Sequence, residues 1–465
     1  MSCCTRILTV AAMGLAASAA FAQVVPIQPR LGDPVPGLTA SQRDRFFKGK
    51  VAVNTPILVT EGLGPIFNDT ACASCHSQPA PGGSSLVVVT RFGKAASGGN
   101  PFDPLENLGG SLLQAESIGS GCEEVVPPEA DVTAHRNTPL LFGLGLVESI
   151  EDDDIAALES NPPPDVSGHV QWVQPVEDPT GPLRVGRFGW KAQEATGMSF
   201  SAGAALNEMG LTNRFFPTEN APNGDTAALA QCDSVPDPED TPDQDGYYRI
   251  DRFNDFQRFL AAPPQTPKSG MTGELIFKDI GCASCHVDTT YLTKVVAEPA
   301  LSSIPITPYS DFLLHDMGTL GDGIVQGSGT ETEFRTPALW GLHARGGIGL
   351  LHDGRVSGGT FEENVTEAIV EHDGEAVTAR DNFAALSQPE KDLMIAFLDS
   401  LGRVEFDLEG DNDVDEFDWF FLQPLVTGPG VYYTPDDFPS LADIDQDGDF
   451  DLVDFAALQR AFTGQ

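Results

Sequence analysis

The stretch that decides the fold is Cys72-Ala73-Ser74-Cys75-His76, which recurs unchanged as Cys282-Ala283-Ser284-Cys285-His286, 210 residues further along the chain. Two cysteines separated by two residues and followed directly by histidine form the attachment signature of c-type haem. The thiols bond the porphyrin vinyl groups, and the histidine is the proximal ligand of the iron. A dithiol redox motif or half of a zinc site is the alternative, but neither explains a histidine after both pairs. The duplication therefore predicts two covalent haem c groups.

The first 22 residues have the pattern of an export signal. Arg6 precedes an apolar run over residues 7–17, and Ala20-Phe21-Ala22 is a small-x-small cleavage site. No later apolar run is long enough to cross a bilayer. We therefore expect a periplasmic or secreted protein that does not span the membrane, which suits haem attachment outside the cytoplasm.

Two cysteines lie outside the signal and the haem motifs. Cys122 and Cys232 can form one disulfide in an oxidising compartment, or they can remain two free thiols. Sequence leaves both alternatives open, because it does not show whether the two Cα atoms approach closely enough.

Helical patterns and a proline-rich break divide the mature chain. Residues 272–280 have apolar side chains three and four apart, as in the helix that opens a cytochrome c domain. The prolines of residues 261–267 cannot continue a helix, so we place a domain boundary there. Before this boundary, Phe253, Phe256 and Phe259 repeat at helical spacing and indicate a buried helix face.

A second capped helix closes the haem region. Ser387 can cap a helix over residues 388–401, Pro389 suits its first turn, and Gly402 stops it. We expect this helix to pack across the helix at residues 272–280. The sequence thus predicts a mainly α protein with two tandem cytochrome c-like haem domains, long loops and a small helical module at the end. The predicted bounds are residues 1–22 for the signal, 23–262 for the N-terminal haem domain, 263–402 for the C-terminal haem domain and 403–465 for the module.

Acidic residues are concentrated at the end of the chain. Residues 403–465 contain sixteen Asp or Glu and two Arg, in a chain of formal net charge -42. This charge argues against nucleic acid or an anionic membrane as a partner. Two loops, 36 residues apart, space their carboxylates like the oxygen ligands of a calcium loop, and each loop runs into an apolar helix. The predicted calcium ligands are Asp407, Glu409, Asp411, Asp415 and Asp418 in the first loop, and Asp443, Asp445, Asp447, Asp451 and Asp454 in the second.

The last ligand position distinguishes these loops from an ordinary EF-hand. Both loops have Asp at position 12, in Asp418 and Asp454, where an EF-hand has Glu. The pair resembles a type I dockerin module, which implies two Ca²⁺ ions and a cohesin-like or cell-surface partner. A disordered acidic tail is the alternative, but it does not predict a duplicated ligand pattern with hydrophobic helices.

Further motifs surround the two pentapeptides. Three of them resemble, in order and spacing, the C-terminal haem domain of bacterial di-haem cytochrome c peroxidases and MauG-like proteins. These are Phe334-Arg335-Thr336-Pro337-Ala338-Leu339-Trp340-Gly341, Leu351-His352-Asp353-Gly354-Arg355 and Thr360-Phe361-Glu362-Glu363. Residues 40–402 resemble the di-haem oxidoreductase family more closely, whose members are often labelled thiol oxidoreductases. The segments behind this closer resemblance are Gly62-Leu63-Gly64-Pro65-Ile66-Phe67-Asn68, Gln78-Pro79-Ala80-Pro81-Gly82-Gly83, Gly186-Arg187-Phe188-Gly189-Trp190-Lys191-Ala192 and Leu314-His315-Asp316-Met317-Gly318.

The resemblance implies an exported, peroxidase-like di-haem oxidoreductase. The first haem, held by His76, would activate peroxide or oxygen, and the second would relay electrons from a redox partner. Two rival functions stay open. A non-catalytic electron-transfer cytochrome would need both haems six-coordinate, and a haem dioxygenase acting on a polymer or lipid would share the two-haem layout.

One departure from the peroxidases concerns the second haem. His372 stands where those proteins have an axial methionine, after the His-Asp-Gly turn. The resemblance therefore implies His286/His372 ligation, six-coordinate and low-spin. The alternative is that His372 is an exposed histidine at a helix end, with Met317 or His315 as the ligand.

The open side of the first haem has several candidate residues. His135 lies in a segment that resembles the distal loop of the peroxidases and is a candidate sixth ligand, proton donor or surface histidine. Arg136 could stabilise negative charge on peroxide. Glu148 and Glu208 are candidate general acids for cleavage of the O–O bond, or solvated surface acids.

Overall fold

The computed structural model describes residues 26–265, 270–434, 436–437 and 442–463. The predicted signal, residues 1–22, and residues 266–267 of the predicted boundary lie outside this part of the chain. Helices and short two-stranded sheets alternate along the described residues. The helices are α1 (Ala40–Asn54), α2 (Cys72–Cys75), α3 (Leu144–Glu148), α4 (Asp152–Ser160), α5 (Gly197–Met209), α6 (Thr226–Cys232), α7 (Arg249–Phe259), α8 (Thr272–Asp279), α9 (Leu342–Arg345), α10 (Phe361–Glu371), α11 (Val377–Ala385), α12 (Gln388–Ser400), α13 (Glu416–Leu422) and α14 (Leu452–Ala461).

The strands pair in antiparallel twos and join loops that are far apart in sequence. The longest pair, β2 with β4, aligns Thr90 with His135 and Arg91 with Ala134. The strands are β1 (Ile66–Phe67), β2 (Val88–Gly93), β3 (Glu116–Ser117), β4 (Val132–Asn137), β5 (Trp172–Val173), β6 (Arg184–Val185), β7 (Tyr291–Leu292), β8 (Pro305–Ile306), β9 (Leu314–Asp316) and β10 (Glu333–Arg335). The other pairs are β1 with β3, β5 with β6, β7 with β8 and β9 with β10.

The largest cluster of buried hydrophobic residues packs around α7, which contacts both α1 and α5. Phe253, Phe256 and Phe259 are each at most 2% exposed, which confirms the predicted buried stripe. Phe46 of α1 stacks on Phe256 with ring centroids 5.5 Å apart. Burial of these rings supplies hydrophobic stabilisation and fixes α5, which carries part of the first candidate site.

A second cluster forms where α12 crosses α8, as the sequence predicts. Ser387 and Glu390 form a capping box at the start of α12. Gly273 of α8 allows the close crossing, because a Cβ at this position would lie 2.0 Å from the carbonyl oxygen of Leu393. This crossing fixes the position of α8, which ends just before the second pentapeptide begins.

The acidic end of the chain from residue 406 onward, the acidic unit, has its own small cluster of buried hydrophobic residues. The two helices that follow the predicted calcium loops, α13 and α14, meet through Trp419 and Phe455, whose ring centroids lie 5.7 Å apart. Leu422, Phe450 and Leu458 are buried beside them. Both predicted apolar helices are therefore present.

The connection into this acidic unit is buried and reinforced from the other end of the chain. Val404 belongs to the largest cluster, whereas Phe406 belongs to the acidic unit. Gln28 donates through its backbone N–H and its side-chain amide to the two carboxylate oxygens of Glu405, at 2.9 and 3.0 Å. The amide of Asn412 bonds both the N–H and the carbonyl oxygen of Leu31, at 3.0 and 3.1 Å.

Cys122 and Cys232 form a disulfide, which decides between the two alternatives that the sequence left open. The bond ties the loop before β4 to the end of α6, across 110 residues of sequence. It fixes the start of the acidic loop that follows α6.

The packing does not divide at the predicted domain boundary. The largest cluster also takes in Tyr291, Phe312 and Trp340, so the two haem regions share one core around their junction. Within the described ranges, none of the helices combines the length and apolar character that a bilayer crossing requires. The assignment of tandem cytochrome c-like domains and of a dockerin-like module stays a prediction.

Candidate functional site

The second pentapeptide lines a cavity of about 340 Å³. Cys282–Ser284 form a single tight turn after α8, and His286 follows it. The Nδ1–H of His286 donates to the carbonyl oxygen of Tyr309 at 3.1 Å, which leaves Nε2 as the available ligand atom. Burial, with a smaller contribution from His372, lowers the pKa of His286 to about 4. The imidazole is therefore neutral, as an iron ligand must be.

His372 lines the same cavity. It follows the last residue of α10, and its Nδ1–H donates to the carbonyl oxygen of Ala368 at 2.7 Å. Burial lowers its pKa as well. Two neutral imidazoles, His286 and His372, are thus available through Nε2 within one cavity, which is the arrangement that bis-His ligation needs.

His315 has both ring nitrogens engaged. Nε2 lies 2.9 Å from a carboxylate oxygen of Asp311, and Nδ1 lies 2.9 Å from one of Glu375. Burial lowers its pKa, but the bonds to Asp311, Cys285 and Glu375 outweigh that effect and raise it to about 12. A cationic ring clamped by two carboxylates has no lone pair for iron. Of the two alternatives to His372, Met317 lines the cavity and keeps an available side chain.

The rest of the cavity wall fits a haem. Haem is a large apolar ring with two carboxylates, and the wall is mostly apolar with four arginines, Arg187, Arg335, Arg345 and Arg380. Arg335 and Arg345 are buried, and burial lowers the pKa of each to about 10, so both stay cationic near neutral pH. Arg380 bonds the carbonyl oxygen of His372 at 3.0 Å. The apolar part of the wall includes Phe277, Phe334, Leu350, Val365 and Met394.

The first pentapeptide repeats the local geometry of the second. Cys72–Cys75 form the short helix α2, and the Nδ1–H of His76 donates to the carbonyl oxygen of Gly83 at 3.1 Å. Burial lowers the pKa of His76 to about 4, against smaller opposing effects of the Gly83 and Pro139 carbonyls, so this imidazole is also neutral.

A carboxylic acid and a guanidinium lie beside the first pentapeptide. Burial and then the carboxylate of Glu208 raise the pKa of the Cys75 thiol to about 12, which places Glu208 close to the motif. Glu208 accepts a bond from Asn68 at 2.8 Å, and burial raises its own pKa. The guanidinium of Arg91 interacts electrostatically with Glu208, and its buried Nε has no hydrogen-bond partner in the part of the chain that the structure describes. Sequence analysis missed Arg91, although an arginine within the apolar strand β2 was a usable signal.

His135 lies on the other face of that strand pair. It stands opposite Thr90, is exposed, and lies 3.4 Å from the Thr90 hydroxyl through Nδ1. Side chains alternate between the two faces of a strand, so Arg91 and Arg136 share the face opposite to His135. The structure therefore does not bring His135 together with the first pentapeptide.

Arg136 and Glu148 are held by ion pairs. Arg136 is buried and pairs with Asp322 at 2.8 Å, which joins β4 to a loop of the second haem region. Glu148 pairs with Arg258 at 2.8 Å and accepts the N–H of Gly197 at 2.8 Å. Glu148 thus anchors the first residue of α5, the helix whose other end carries Glu208.

Trp190 is buried between the two haem regions. Its indole N–H donates to the carbonyl oxygen of Asn137 at 2.8 Å, and its ring meets Phe334 edge-on at 6.4 Å. The guanidinium of Arg345 lies 5.4 Å from the centre of the same ring. These contacts make Trp190 a packed core residue that also lines the cavity.

The acidic unit gathers many of the predicted calcium ligands. One oxygen from each of Glu409, Asp415 and Asp418 lies within 4.8 Å of the others, and the same holds for Asp443, Asp445 and Asp454. A third, overlapping group contains Asp449, Asp451 and Asp454, of which Asp449 was missed by sequence analysis. The remaining predicted ligands accept backbone N–H bonds within their loops: Asp407, Asp411 and Asp447.

Residues 127–401 match the protein family described as "Di-haem oxidoreductase, putative peroxidase". The match covers more than half of the chain, which therefore belongs to the di-haem oxidoreductase family. Members of such a family carry two haem groups. The matched range includes the second pentapeptide, His372 and Glu208, but neither the first pentapeptide nor the acidic unit. Comparison with curated proteins finds no match.

Proposed function

We propose that this protein is an exported di-haem c oxidoreductase that activates peroxide at the first pentapeptide and stores and relays electrons at the second. The difference between the two sites is the observation that carries the proposal. The second site offers two neutral imidazoles, His286 and His372, in one cavity. The first offers His76 with a carboxylic acid and a guanidinium nearby.

Each haem would be held by its own pentapeptide. Cys72 and Cys75 would form the thioethers at the first site, and Cys282 and Cys285 at the second. His76 and His286 would each bind the iron of their own haem, and His372 would be a second ligand at the second site. Haem supplies the iron on which peroxide is bound and electrons are stored.

The residues beside the first pentapeptide supply the proton and the charge that peroxide cleavage needs. Glu208 holds a proton on its carboxyl group more readily than an exposed glutamate, because burial raises its pKa. It can donate that proton to the leaving oxygen of peroxide. Asn68 orients the carboxyl group through its 2.8 Å bond. The unpartnered Nε–H of Arg91 can stabilise negative charge as the O–O bond breaks.

The purified protein with both haems should show two different iron sites and consume peroxide. Low-temperature EPR of the oxidised protein should give one high-spin or weakly ligated signal and one bis-His low-spin signal, because His372 shares the cavity of the second site with His286. Stopped-flow absorption should then show a reaction with stoichiometric peroxide.

Two results would favour other functions. Two six-coordinate low-spin signals without a peroxide reaction would indicate an electron-transfer cytochrome. Consumption of oxygen with an added polymer or lipid, and no turnover of peroxide, would indicate a dioxygenase.

The acidic unit would determine where the exported enzyme is attached. Burial, and then the neighbouring carboxylates, raises the pKa of several acids in its loops, that of Asp454 to about 6. Two Ca²⁺ ions would remove this repulsion. We assign to this dockerin-like unit the attachment of the exported enzyme to a cohesin-like or cell-surface partner.

Chelation of calcium should unfold the acidic unit while the haem absorption stays unchanged. Helices α13 and α14 are too short to be stable alone, so their packing depends on the ion-bound loops. Circular dichroism should show loss of helix on adding chelator and recovery on adding calcium. A variant that lacks residues 406–465 should lose this response and keep peroxide turnover within about twofold. Unchanged helicity of the full chain, or lost turnover of the shorter one, would contradict the assignment.

A further inference from the structure

A third group of carboxylates lies far from the acidic unit, in the loops that follow α5 and α6. One oxygen from each of Glu219, Asp237 and Glu239 lies within 4.8 Å of the others. Neither the haem sites nor the calcium loops use these residues.

Glu219 is the unusual member of this group. It is 7% exposed, and among the described residues no donor group reaches either of its carboxylate oxygens; its polar neighbour is the carboxylate of Glu239. Other buried acids of the same region are satisfied: Asp255 pairs with Arg45, and the two carboxylate oxygens of Asp240 accept backbone N–H groups at 2.8 and 3.2 Å. An unpaired buried carboxylate is costly, so a cation or a proton must neutralise it.

The charges around Glu219 exclude an ion pair as the explanation. The charged groups that act on it are Glu239, Asp237 and Asp233, all acidic. No lysine or arginine of the described residues forms an ion pair with Glu219, Asp237 or Glu239. The group therefore concentrates negative charge without a partner from the chain.

Thr212 holds two of the three carboxylates in place. Its backbone N–H donates to Glu239 at 3.0 Å, and its hydroxyl lies 3.1 Å from one oxygen of Glu239 and one of Asp237. The N–H of Glu239 donates back to that hydroxyl at 3.0 Å. Thr212 thus positions the carboxylates of Asp237 and Glu239, while no donor of the described residues reaches the oxygens of Glu219. This is how outer partners orient ligands at metal sites.

We propose that Glu219, Asp237 and Glu239 bind one calcium ion in the N-terminal haem region. All donors are carboxylate oxygens, which suit hard cations such as Ca²⁺, Mg²⁺ and Mn²⁺ better than softer ions that prefer sulfur or imidazole ligands. Calcium suits three protein carboxylates better than magnesium, which usually keeps its waters and takes one or two. Ligands on opposite sides of calcium lie about 5 Å apart, so oxygens within 4.8 Å of one another can share one ion.

The position of the ion gives it a structural role. Thr212 lies four residues after Glu208, just past the C-terminal end of α5. The disulfide between Cys122 and Cys232 fixes the other side of the site, beside Asp233. Calcium would therefore join the end of α5 to the loop after α6.

Counting bound calcium in the full-length protein with both haems tests the proposal. At a fixed free calcium concentration, atomic emission should find one ion fewer per chain in Glu219→Gln than in the unsubstituted protein. The difference does not depend on how many ions the acidic unit binds. Asp237→Asn alters an exposed ligand and keeps the fold, and should weaken binding of this ion by at least roughly 10- to 100-fold.

Glu124→Gln is the matched control. Glu124 is also 7% exposed, but it accepts the N–H groups of Gln114 and Asn223 at 2.8 and 3.1 Å. This variant should bind as many ions as the unsubstituted protein. Equal calcium content in all three variants would overturn the proposal. A proton shared between Glu219 and Glu239 would then be what neutralises the buried carboxylate.

Discussion

Replacing Glu208 with glutamine should lower kcat for peroxide reduction by about 100-fold or more, the contribution of a well-placed general acid. Glutamine keeps the size of the side chain and the bond from Asn68, but it has no proton to give to the leaving oxygen. Steady-state assays at matched haem content measure the effect.

The pH profile separates loss of an acid from a structural defect. A proton donor must be protonated, so kcat should fall as pH rises through the pKa of Glu208, which burial places above that of an ordinary glutamate. In the Glu208→Gln variant, kcat should no longer show this decrease with rising pH.

Substitution at His135 provides the contrasting control. His135→Ala should keep full activity, because this exposed side chain lies on the strand face opposite Arg91. If His135→Ala were inactive and Glu208→Gln active, His135 and not Glu208 would be the proton donor.

Replacing His372 with alanine should remove the low-spin signal of the second haem and leave that of the first unchanged. The reason is that His372 shares the cavity with His286 and holds its Nδ1 on the carbonyl of Ala368, whereas His315 is clamped by two carboxylates and His352 stacks on Phe334. EPR of the oxidised protein reports both sites in one spectrum. The altered ligation should also slow electron delivery, and hence steady-state turnover.

Met317→Leu is the matched control for this experiment, since Met317 lines the same cavity. It should leave the low-spin signal intact. If Met317→Leu removed the signal and His372→Ala did not, the axial ligand would be the thioether. His315 needs no equivalent test, because Asp311 and Glu375 occupy both of its nitrogens.

Local patterns predicted the elements that depend on neighbours in sequence. The capping box of Ser387 and Glu390 needs only residues three apart. The stripe of Phe253, Phe256 and Phe259 needs only helical periodicity, and it was confirmed as buried core. The helices after the calcium-loop patterns were predictable for the same reason.

The roles of individual charged residues could not be predicted, because they depend on partners far away in sequence. Glu148 and Glu208 are both acids within helical segments, yet one meets Arg258 and the other lies near Cys75. The burial of Glu219 without a hydrogen-bond partner likewise depends on how several loops pack. The sequence identifies such residues as candidates, but their different roles become visible only once the fold shows which partners they meet.

The bonds from Gln28 to Glu405, from Asn412 to Leu31 and from Thr272 to Asp436 give the acidic unit three points of attachment beside the chain itself. A unit joined only by residues 403–406 would act as a flexible tether and let a bound surface move relative to the haems. The four attachments together make it a rigid bracket instead. A partner gripped by this unit would face the two haem regions at one set distance and angle, and a longer linker alone would not release it.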